Sequence, residues 1–442
     1  MSGRKEKILE PFVREKDYMD YRVAEGIEKN RKDFATIRIV DREGRPVTHA
    51  QVEVRQLSHQ FKFGANLFLL DEMETDAKNA AYREVFPQVF NHATLPFYWN
   101  GLEPVRGKPR FEKGSPKVYR RPAPDLCLDF CEANGIRPKA HCLIYDAWAP
   151  DWLPDDVPES KRLYRERLRQ LADRYRGRIE DWEVINETLI PYQKKNRSLF
   201  IEPDYLEWAF RSAREFFPDN RLLLNEATEN IWGKGFNYCR GAYYLLIERL
   251  MNLRVPMDGI GMQFHMFYPR GEEEERSPLF YDPRRLYATL DCYGRFRKPV
   301  QITEITIPAY SEEKEDEETQ AEIVKNLYQI WFSHEAVESI VWWNLVDGYA
   351  YVREGDNWNE NSYYGGLLRH DMSFKPAWYA VRDLVKNKWH TEASLSAGDA
   401  DRVTFRGFYG DYEVAVTHEG KRAVSRIRLS NRDDIREYTV TI

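Results

Sequence analysis

The sequence of 442 residues contains no apolar run of the about 20 residues that a membrane-spanning helix needs. Its first residues, MSGRKEKILEPFVREKD, lack the apolar segment of a signal peptide, so we expect a cytoplasmic protein, or a secreted one if a leader preceded this sequence. An excess of basic residues is also missing, because 66 Lys and Arg face 72 Asp and Glu. Nucleic acid and membranes are therefore not expected partners.

Cysteine is scarce, and the usual cysteine motifs are missing. The five cysteines are odd in number and include no C-x-x-C pair. Cys127 and Cys131 share one face of a predicted helix, but no further metal ligand stands near them in the sequence. We therefore expect reduced, buried thiols and neither a metal nor another cofactor.

Strand and helix patterns alternate regularly through the middle of the chain. Amphipathic segments such as SKRLYRERLRQLADRYRG separate eight strand-like segments, at 61–68, 92–98, 137–145, 179–187, 221–227, 258–265, 299–305 and 339–347. Eight βα units in order predict an α/β fold, a (β/α)8 TIM barrel over residues 61–390. A doubly wound sheet is the alternative, but no Gly-rich phosphate turn follows the first strand, so the barrel is favoured.

The two ends of the chain have a different sequence pattern. Residues 1–33 are charged and predict an N-terminal helical arm. Residues 34–60 contain two alternating strands around the turn-rich DREGRPV, which predicts a β-hairpin. Alternating strands return in 391–442, so we expect both ends to form one small accessory β-domain.

Polar residues stand at the ends of the predicted barrel strands, where the active sites of such barrels lie. One polar strand end means little, because strands have to emerge into water, but a crown on six strands indicates a site. Its members are His141, Tyr145, Asp146, Asn186, Glu187, Asn225, Glu226, Gln263, His265, Glu304, Trp343 and Asp347.

Two carboxylates of this crown, Glu187 on the fourth strand and Glu304 on the seventh, are expected to face each other across the barrel mouth. Retaining glycoside hydrolysis requires two carboxyl groups about 5–5.5 Å apart, one as nucleophile and one as acid/base. Glu187 alone is equally consistent with a salt-bridged strand end, but the whole constellation favours a reaction site. We interpret Glu183, on the same face of its strand, as a buried structural carboxylate with a partner.

Several segments resemble a known family. WEVINE (182–187) resembles W-D-V-V-N-E, QITEI (301–305) resembles I-T-E-L, and GIGMQFH (259–265) resembles G-I-G-x-Q-x-H. These are segments of glycoside hydrolase family 10, the β-1,4-xylanase family, and the order of the matches agrees along residues 61–387. The resemblance implies a retaining glycosidase that acts on xylan-derived oligosaccharides or polysaccharides.

The resemblance also implies roles for individual residues. Glu187 is the expected acid/base and Glu304 the expected nucleophile. The expected sugar-binding and supporting residues are Asn186 for the 2-hydroxyl, Gln263 and His265 beside the nucleophile, His141 for a sugar hydroxyl, Trp343 as a stacking floor, and Asn225.

The chain also departs from the family pattern. The family's second-strand loop, roughly F-N-x-x-T-x-E-N-x-M-K-W, grips the sugar through its Glu, Asn and Lys, whereas FNHATLPFYWNGLEP here lacks that polar set. Phe97, Tyr98 and Trp99 occupy its place, and Tyr145-Asp146 replace a Trp-His pair on the third strand. We expect Trp99, Tyr145 and Asp146 to contact the substrate, and these changes to alter its identity rather than the chemistry.

Three other functions remain open at this point. The first is an exo-acting glycosidase of the same clan on a different sugar, such as an arabinoside or galactoside. The second is a metal-dependent barrel enzyme, which would need three or more ligands and a base such as Lys. No Lys stands at a predicted strand end. The third is a non-catalytic carbohydrate-binding barrel, which would need neither Glu187 nor Glu304. The linkage and the oligomeric state stay open.

Overall fold

Eight parallel strands close into a barrel in the computed structural model, which describes residues 3–190, 197–233, 238–352 and 358–442. The strands are β3 (Lys62–Asn66), β4 (His92–Pro96), β5 (Arg137–His141), β6 (Asp181–Asn186), β7 (Arg221–Glu226), β8 (Gly259–His265), β9 (Val300–Thr306) and β10 (Val337–Trp342). They follow one another around the barrel in sequence order, and β10 closes it against β3. The predicted (β/α)8 fold is confirmed.

Helices surround these strands. They are α3 (Asp76–Val89), α4 (Trp99–Leu102), α5 (Pro124–Ala133), α6 (Val157–Tyr175), α7 (Ser198–Ile201), α8 (Tyr205–Phe216), α9 (Thr228–Trp232), α10 (Ala242–Asn252), α11 (Glu273–Arg276), α12 (Pro283–Gly294), α13 (Lys314–Ser333) and α14 (Pro376–Asp383). Local capping fixes several of their starts. Asp156 accepts a hydrogen bond from the Glu159 amide at the start of α6, and Asp282 does the same for α12 ahead of Pro283.

The N-terminal segment is helical, with α1 (Arg4–Arg14) and α2 (Lys16–Arg31). The apolar face of α1 is buried, and Phe12 stacks on Tyr281 with ring centres 5.8 Å apart. At the end of α2, the Arg31 guanidinium donates to the Val337 carbonyl at 2.7 Å, at the start of β10. The segment is therefore anchored to the barrel by packing and by buried hydrogen bonds.

Strands from both ends of the chain form two further sheets. They are β1 (Lys32–Val40), β2 (Gln51–Gln56), β11 (Glu392–Ser396), β12 (Arg402–Phe408), β13 (Gly410–His418), β14 (Lys421–Leu429) and β15 (Glu437–Thr441). One sheet has the order β12-β1-β15 and the other β11-β2-β13-β14. Alternate apolar residues of both sheets share one buried cluster, separate from the barrel core. The accessory β-structure built from both chain ends is confirmed.

The predicted β-hairpin over 34–60 is wrong, because β1 and β2 lie in different sheets. The turn itself forms, since the Asp41 amide donates to the Arg45 carbonyl at 2.9 Å and Val40 bridges Pro46. The chain then crosses to the second sheet. β1 and β2 each have one apolar face. Because they lie in two stacked sheets, these faces are buried against each other, whereas two neighbouring strands of one hairpin would leave their apolar faces uncovered by each other.

The prediction of five reduced cysteines is also wrong in part. Cys127, Cys131 and Cys142 are free and buried, but Cys239 and Cys292 form a disulfide with Cα atoms 6.0 Å apart. Their separation of 53 residues hid this contact in the sequence. Among the helices that the structure describes, none is both long and apolar enough to cross a membrane.

Candidate active site

The register of the parallel strands brings the polar strand ends together. Asn186 on β6 pairs with Asn225 on β7, and Gln263 on β8 pairs with Glu304 on β9. Gly261 on β8 lies next to Asn225, where a Cβ atom would come within 2.4 Å of the Asn225 Oδ1 atom. The lack of a side chain at Gly261 therefore leaves room for the Asn225 side-chain amide.

One amide nitrogen connects both predicted carboxylates. Gln263 Nε2 donates to Glu187 Oε1 at 2.9 Å and to Glu304 Oε1 at 3.2 Å. Because both bonds start from one atom, the two carboxylate oxygens lie within about 6 Å of each other, which fits the spacing of about 5–5.5 Å in retaining glycosidases better than the 6.5–9.5 Å of inverting ones.

Glu187 lies just past the end of β6 in a left-handed conformation, with φ of 52°. Its amide donates to the Asn225 carbonyl at 3.0 Å, and the Tyr145 hydroxyl donates to its Oε2 atom. Burial, reinforced by the nearby Glu304, raises the pKa of Glu187, although the hydrogen bonds from Tyr145 and Gln263 oppose this shift. Glu187 is thus biased toward the protonated form that a general acid requires.

Besides Gln263, two further side chains hold the Glu304 carboxylate. Asn225 Nδ2 lies 2.8 Å from its Oε1 atom, and His265 Nε2 lies 3.2 Å from Oε2. Both donors are themselves oriented by threonines of β9, since the Thr303 hydroxyl donates to Asn225 Oδ1 at 2.6 Å and Thr306 Oγ1 lies 2.9 Å from His265 Nδ1. The carboxylate therefore has a fixed orientation toward the barrel mouth.

A buried charge network lies below this pair. Glu183 accepts hydrogen bonds from Lys139 and His141, and none of the three side chains is more than 1% exposed. Burial opposes ionisation of Glu183, but the two cationic neighbours outweigh it and lower its pKa to about 2. Burial also opposes the charged form of His141, yet Glu183 and Glu304 raise the pKa of this imidazole. The sequence-based interpretation of Glu183 as a structural carboxylate agrees with these contacts.

His141, Glu183 and Glu304 are the group of side chains among the described residues whose ligand atoms are close enough to hold a metal ion. The negative charge of Glu183 is already balanced by Lys139, which fills one side of its carboxylate. A divalent cation would have to compete with this buried ammonium group. The donor set therefore suits a proton-linked network better than a metal centre.

The His141 ring has no nitrogen left for a sugar. Nδ1 binds Glu183, and Nε2 lies 2.8 Å from the Tyr98 hydroxyl. In this arrangement His141 supports Tyr98, and its predicted direct contact with a sugar hydroxyl stays a prediction.

An aromatic cluster forms the floor beside the carboxylates. Phe68, Tyr98, Cys142 and Trp343 form its buried part. The Trp343 ring lies edge-on to His141 at 5.6 Å and to His265 at 6.0 Å. Trp343 therefore lies beside the two histidines of the site, and its role as a stacking floor for the sugar stays a prediction.

Two of the three aromatics after β4 do not reach this floor. Phe97 packs on Trp182 with ring centres 5.3 Å apart, and Trp99 packs on Tyr164 at 4.6 Å. The predicted substrate contact of Trp99 is therefore corrected, because Trp99 begins α4 and its ring packs on Tyr164 instead. Tyr98 faces the other way, into the site.

Asp146 follows Tyr145 and is buried. It lines a small void together with Glu187, Thr188 and Tyr205. Asp146 therefore lies beside the acid/base candidate, and its predicted contact with the substrate stays a prediction.

Sequence patterns gave no individual role to three residues of this region, although Glu226 stood among the polar strand ends. Tyr98 was noticed only as part of an aromatic run. Glu226 accepts from the Leu189 amide at 3.0 Å and so anchors the loop after Glu187, and burial raises its pKa to about 7. Arg121 belongs to the irregular segment 103–123, which carries no periodic signal. Counting every second residue along β4 and beyond leads to Tyr98, whereas no sequence pattern points to Arg121.

Known proteins resemble this chain in sequence and in fold. A model of the family described as Glycosyl hydrolase family 10 matches residues 59–384. The anti-sigma-I factor RsgI6 of Acetivibrio thermocellus is 26% identical over 402 residues, which cover 90% of this chain but 46% of that protein. Endo-1,4-beta-xylanase B of Thermotoga neapolitana is 26% identical over 343 residues, 74% of this chain and 88% of that protein.

Solved structures give the same fold. A crystal structure of xylanase 10B from Thermotoga petrophila in complex with xylobiose matches with a TM-score of 0.58 and 23% identity, over 74% of this chain and 95% of that one. An intracellular xylanase of Thermoanaerobacterium saccharolyticum matches with a TM-score of 0.55 and 21% identity, over 73% of this chain and 95% of that one.

Proposed function

Because the chain belongs to glycosyl hydrolase family 10, we propose that it is a retaining glycoside hydrolase that cleaves β-linked, xylan-derived oligosaccharides by double displacement. The observation that carries this proposal is the bridging contact of Gln263 with both Glu187 and Glu304. It keeps the two carboxyl groups close enough for one to attack the sugar while the other serves the leaving group.

In the first step, Glu304 attacks the anomeric carbon as the glycosidic C–O bond breaks. Glu187, whose raised pKa favours the protonated form, gives its proton to the departing oxygen. A glycosyl ester on Glu304 results. Asn225 and His265 hold the carboxylate in place while it reacts.

In the second step, Glu187 has become a carboxylate and takes a proton from water. The water oxygen attacks the anomeric carbon, the ester bond to Glu304 breaks, and the sugar leaves with its original configuration. Asn186 uses its Oδ1 atom to accept from Asn225 at 2.8 Å. This arrangement leaves the Asn186 Nδ2 donor for the 2-hydroxyl of the reacting sugar.

Two variants test the assignment. Glu304→Ala should abolish turnover of every substrate, because no other group replaces the nucleophile. Glu187→Ala should retain turnover of aryl β-xylosides with good leaving groups, which need no proton in the first step, and added azide should accelerate it by attacking the glycosyl-enzyme. The exposed Glu335, at the opposite end of the barrel, supplies the control Glu335→Ala.

The product of azide rescue separates the proposal from its alternatives. A β-glycosyl azide, measured by proton NMR, agrees with double displacement. An α-glycosyl azide from the Glu187 variant, or full activity of the Glu304 variant, would contradict the roles assigned to these two residues.

A further inference from the structure

Arg121 is a buried cation at the edge of the aromatic floor. Arg121 is 8% exposed to solvent. The guanidinium carbon lies 4.1 Å from the centre of the Tyr98 ring, 4.9 Å from that of Trp148 and 5.5 Å from that of Phe68. Three aromatic rings therefore surround the charge.

Arg121 has no negative partner within salt-bridge distance in the described part of the chain. The one hydrogen bond that its side chain makes there runs from Nη1 to the Arg120 carbonyl at 2.9 Å. Burial lowers its pKa to about 10. Aromatic faces stabilise a cation in part, but they do not replace the water that a guanidinium loses, and arginines buried to this degree are usually paired.

The remaining donors of Arg121 are open to a ligand. A guanidinium carries five N–H groups, and Nε and Nη2 of Arg121 make no hydrogen bond to an acceptor among the described residues, while both keep some contact with solvent. These two nitrogens form the edge that binds a carboxylate through two parallel hydrogen bonds.

The protein holds this side chain in place. Gly101 lies directly beside it, and a Cβ atom there would come within 2.9 Å of Arg121 Cγ. The backbone is fixed by Arg110, which donates to the carbonyls of Gly101 at 2.6 Å and Arg121 at 3.1 Å. A cation that is held rigidly, and that has no counter-ion in the described part of the chain, indicates a binding function more than simple packing.

Arg121 is also connected to the reaction centre. The Tyr98 ring beneath its guanidinium binds His141 Nε2 through its hydroxyl, and His141 Nδ1 lies 3.9 Å from Glu304 Oε1. Two side chains, Tyr98 and His141, therefore link Arg121 to Glu304.

We propose that Arg121 recognises the carboxylate of an acidic sugar, so that the preferred substrate carries a uronosyl unit or substituent next to the cleaved xylosyl residue. This inference rests on the proposed function. A singly charged carboxylate fits better than a phosphate group, because the Glu304 carboxylate repels a dianion more strongly than a monoanion. The aromatic rings around Arg121 suit the apolar face of the same sugar ring.

The experiment compares two oligosaccharides of equal length, one unsubstituted and one bearing a glucuronosyl substituent. We expect the wild-type kcat/KM to be at least tenfold higher for the acidic substrate. Arg121→Gln should lower kcat/KM for the acidic substrate about 10- to 100-fold, the range of charge-assisted hydrogen bonds, and change the neutral substrate less than about threefold. Arg121→Lys should recover part of the loss. Arg106→Gln, on the same segment but exposed, is the matched control.

Calorimetric titration of the same two oligosaccharides into Glu304→Gln and into Glu304→Gln/Arg121→Gln gives a second measurement that does not depend on turnover. Preferential binding of the acidic sugar that disappears with Arg121→Gln supports the inference. Equal loss on both substrates would show a structural role and overturn it, as would equal affinity of the single Glu304→Gln variant for both sugars. Competitive inhibition by inorganic phosphate, stronger than by glucuronate, would instead show a general anion site. Equal hydrolysis of the neutral and the acidic oligosaccharide refutes only this inference, whereas inactivity on both refutes the proposed function.

Discussion

Replacement of Glu183 by Gln tests whether the buried charge network below the active site stabilises the fold. Glu183 lies between Lys139 and His141 in the barrel interior, and none of the three is reached by solvent to a meaningful extent. Gln keeps the shape and one acceptor but removes the negative charge. Lys139 then remains as a buried ammonium group without a counter-ion, while His141 can lose its proton.

The expected cost follows from the pKa of Glu183. A shift from 4.5 to about 2 corresponds to about 3 kcal/mol in favour of the ionised form in the folded protein. Loss of one partner from a buried ion pair costs about 3–5 kcal/mol in other proteins, which is the same range. We therefore expect Glu183→Gln to lower the free energy of unfolding by about 3 kcal/mol.

Urea denaturation followed by fluorescence measures this difference. Glu166→Gln, which removes the exposed partner of Arg162 at 3.3 Å, is the control and should change stability by less than about 0.5 kcal/mol. Because the folded-state pKa of Glu183 is lowered, its contribution is present above pH 4.5 and is lost as the pH falls toward 2. The gap between wild type and Glu183→Gln should narrow over that window. A difference below about 1 kcal/mol at pH 7, or a gap that does not depend on pH, would refute the reasoning.

Three further predictions concern the acid/base, the chain ends and the substrate. Tyr145→Phe removes a hydrogen bond that favours ionised Glu187, so the pKa of Glu187 should rise and the alkaline limb of the kcat/KM profile should move to higher pH; a shift to lower pH would contradict this. Deletion of 395–442 removes both partners of β1 and should give an insoluble protein or a lower Tm, whereas an unchanged Tm would show that the two chain ends do not form one unit. Hydrolysis should be faster on short oligosaccharides or aryl β-glycosides than on long unsubstituted xylan, because the second-strand loop lacks the polar residues that would bind the sugar. Rapid release of xylobiose and xylotriose from xylan would overturn this prediction. Release of single sugars alone would favour exo action.

The barrel and the carboxylate pair were predictable because both depend on local patterns. Buried parallel strands alternating with amphipathic helices leave few possible folds, and the register of a parallel barrel brings all strand ends to one face. Asn186, Gln263 and Glu304 could therefore be expected to meet without knowledge of any distance.

The remaining features depend on contacts that no local pattern encodes. The turn after β1 was readable, but the partners of β1 lie more than 360 residues away along the chain, at Arg402–Phe408 and Glu437–Thr441. Tyr98 lies between the end of β4 and the start of α4. Which of residues 97–99 faces the site therefore depends on how far the side-chain alternation of β4 continues. Arg121 lies in an irregular segment, so its position among three aromatic rings follows from tertiary packing alone.

The most direct test of the central claim is to trap the covalent intermediate on Glu304. An activated 2-deoxy-2-fluoro-β-xyloside should form the glycosyl ester but hydrolyse it slowly, because fluorine destabilises the oxocarbenium-like transition states while the good leaving group rescues only the first step. Mass spectrometry of a proteolytic digest should then show one added fluoroxylosyl group, located on Glu304 and absent from Glu304→Gln. A label on Glu187 or on another residue, or an unlabelled enzyme that releases product of inverted configuration, would contradict the account.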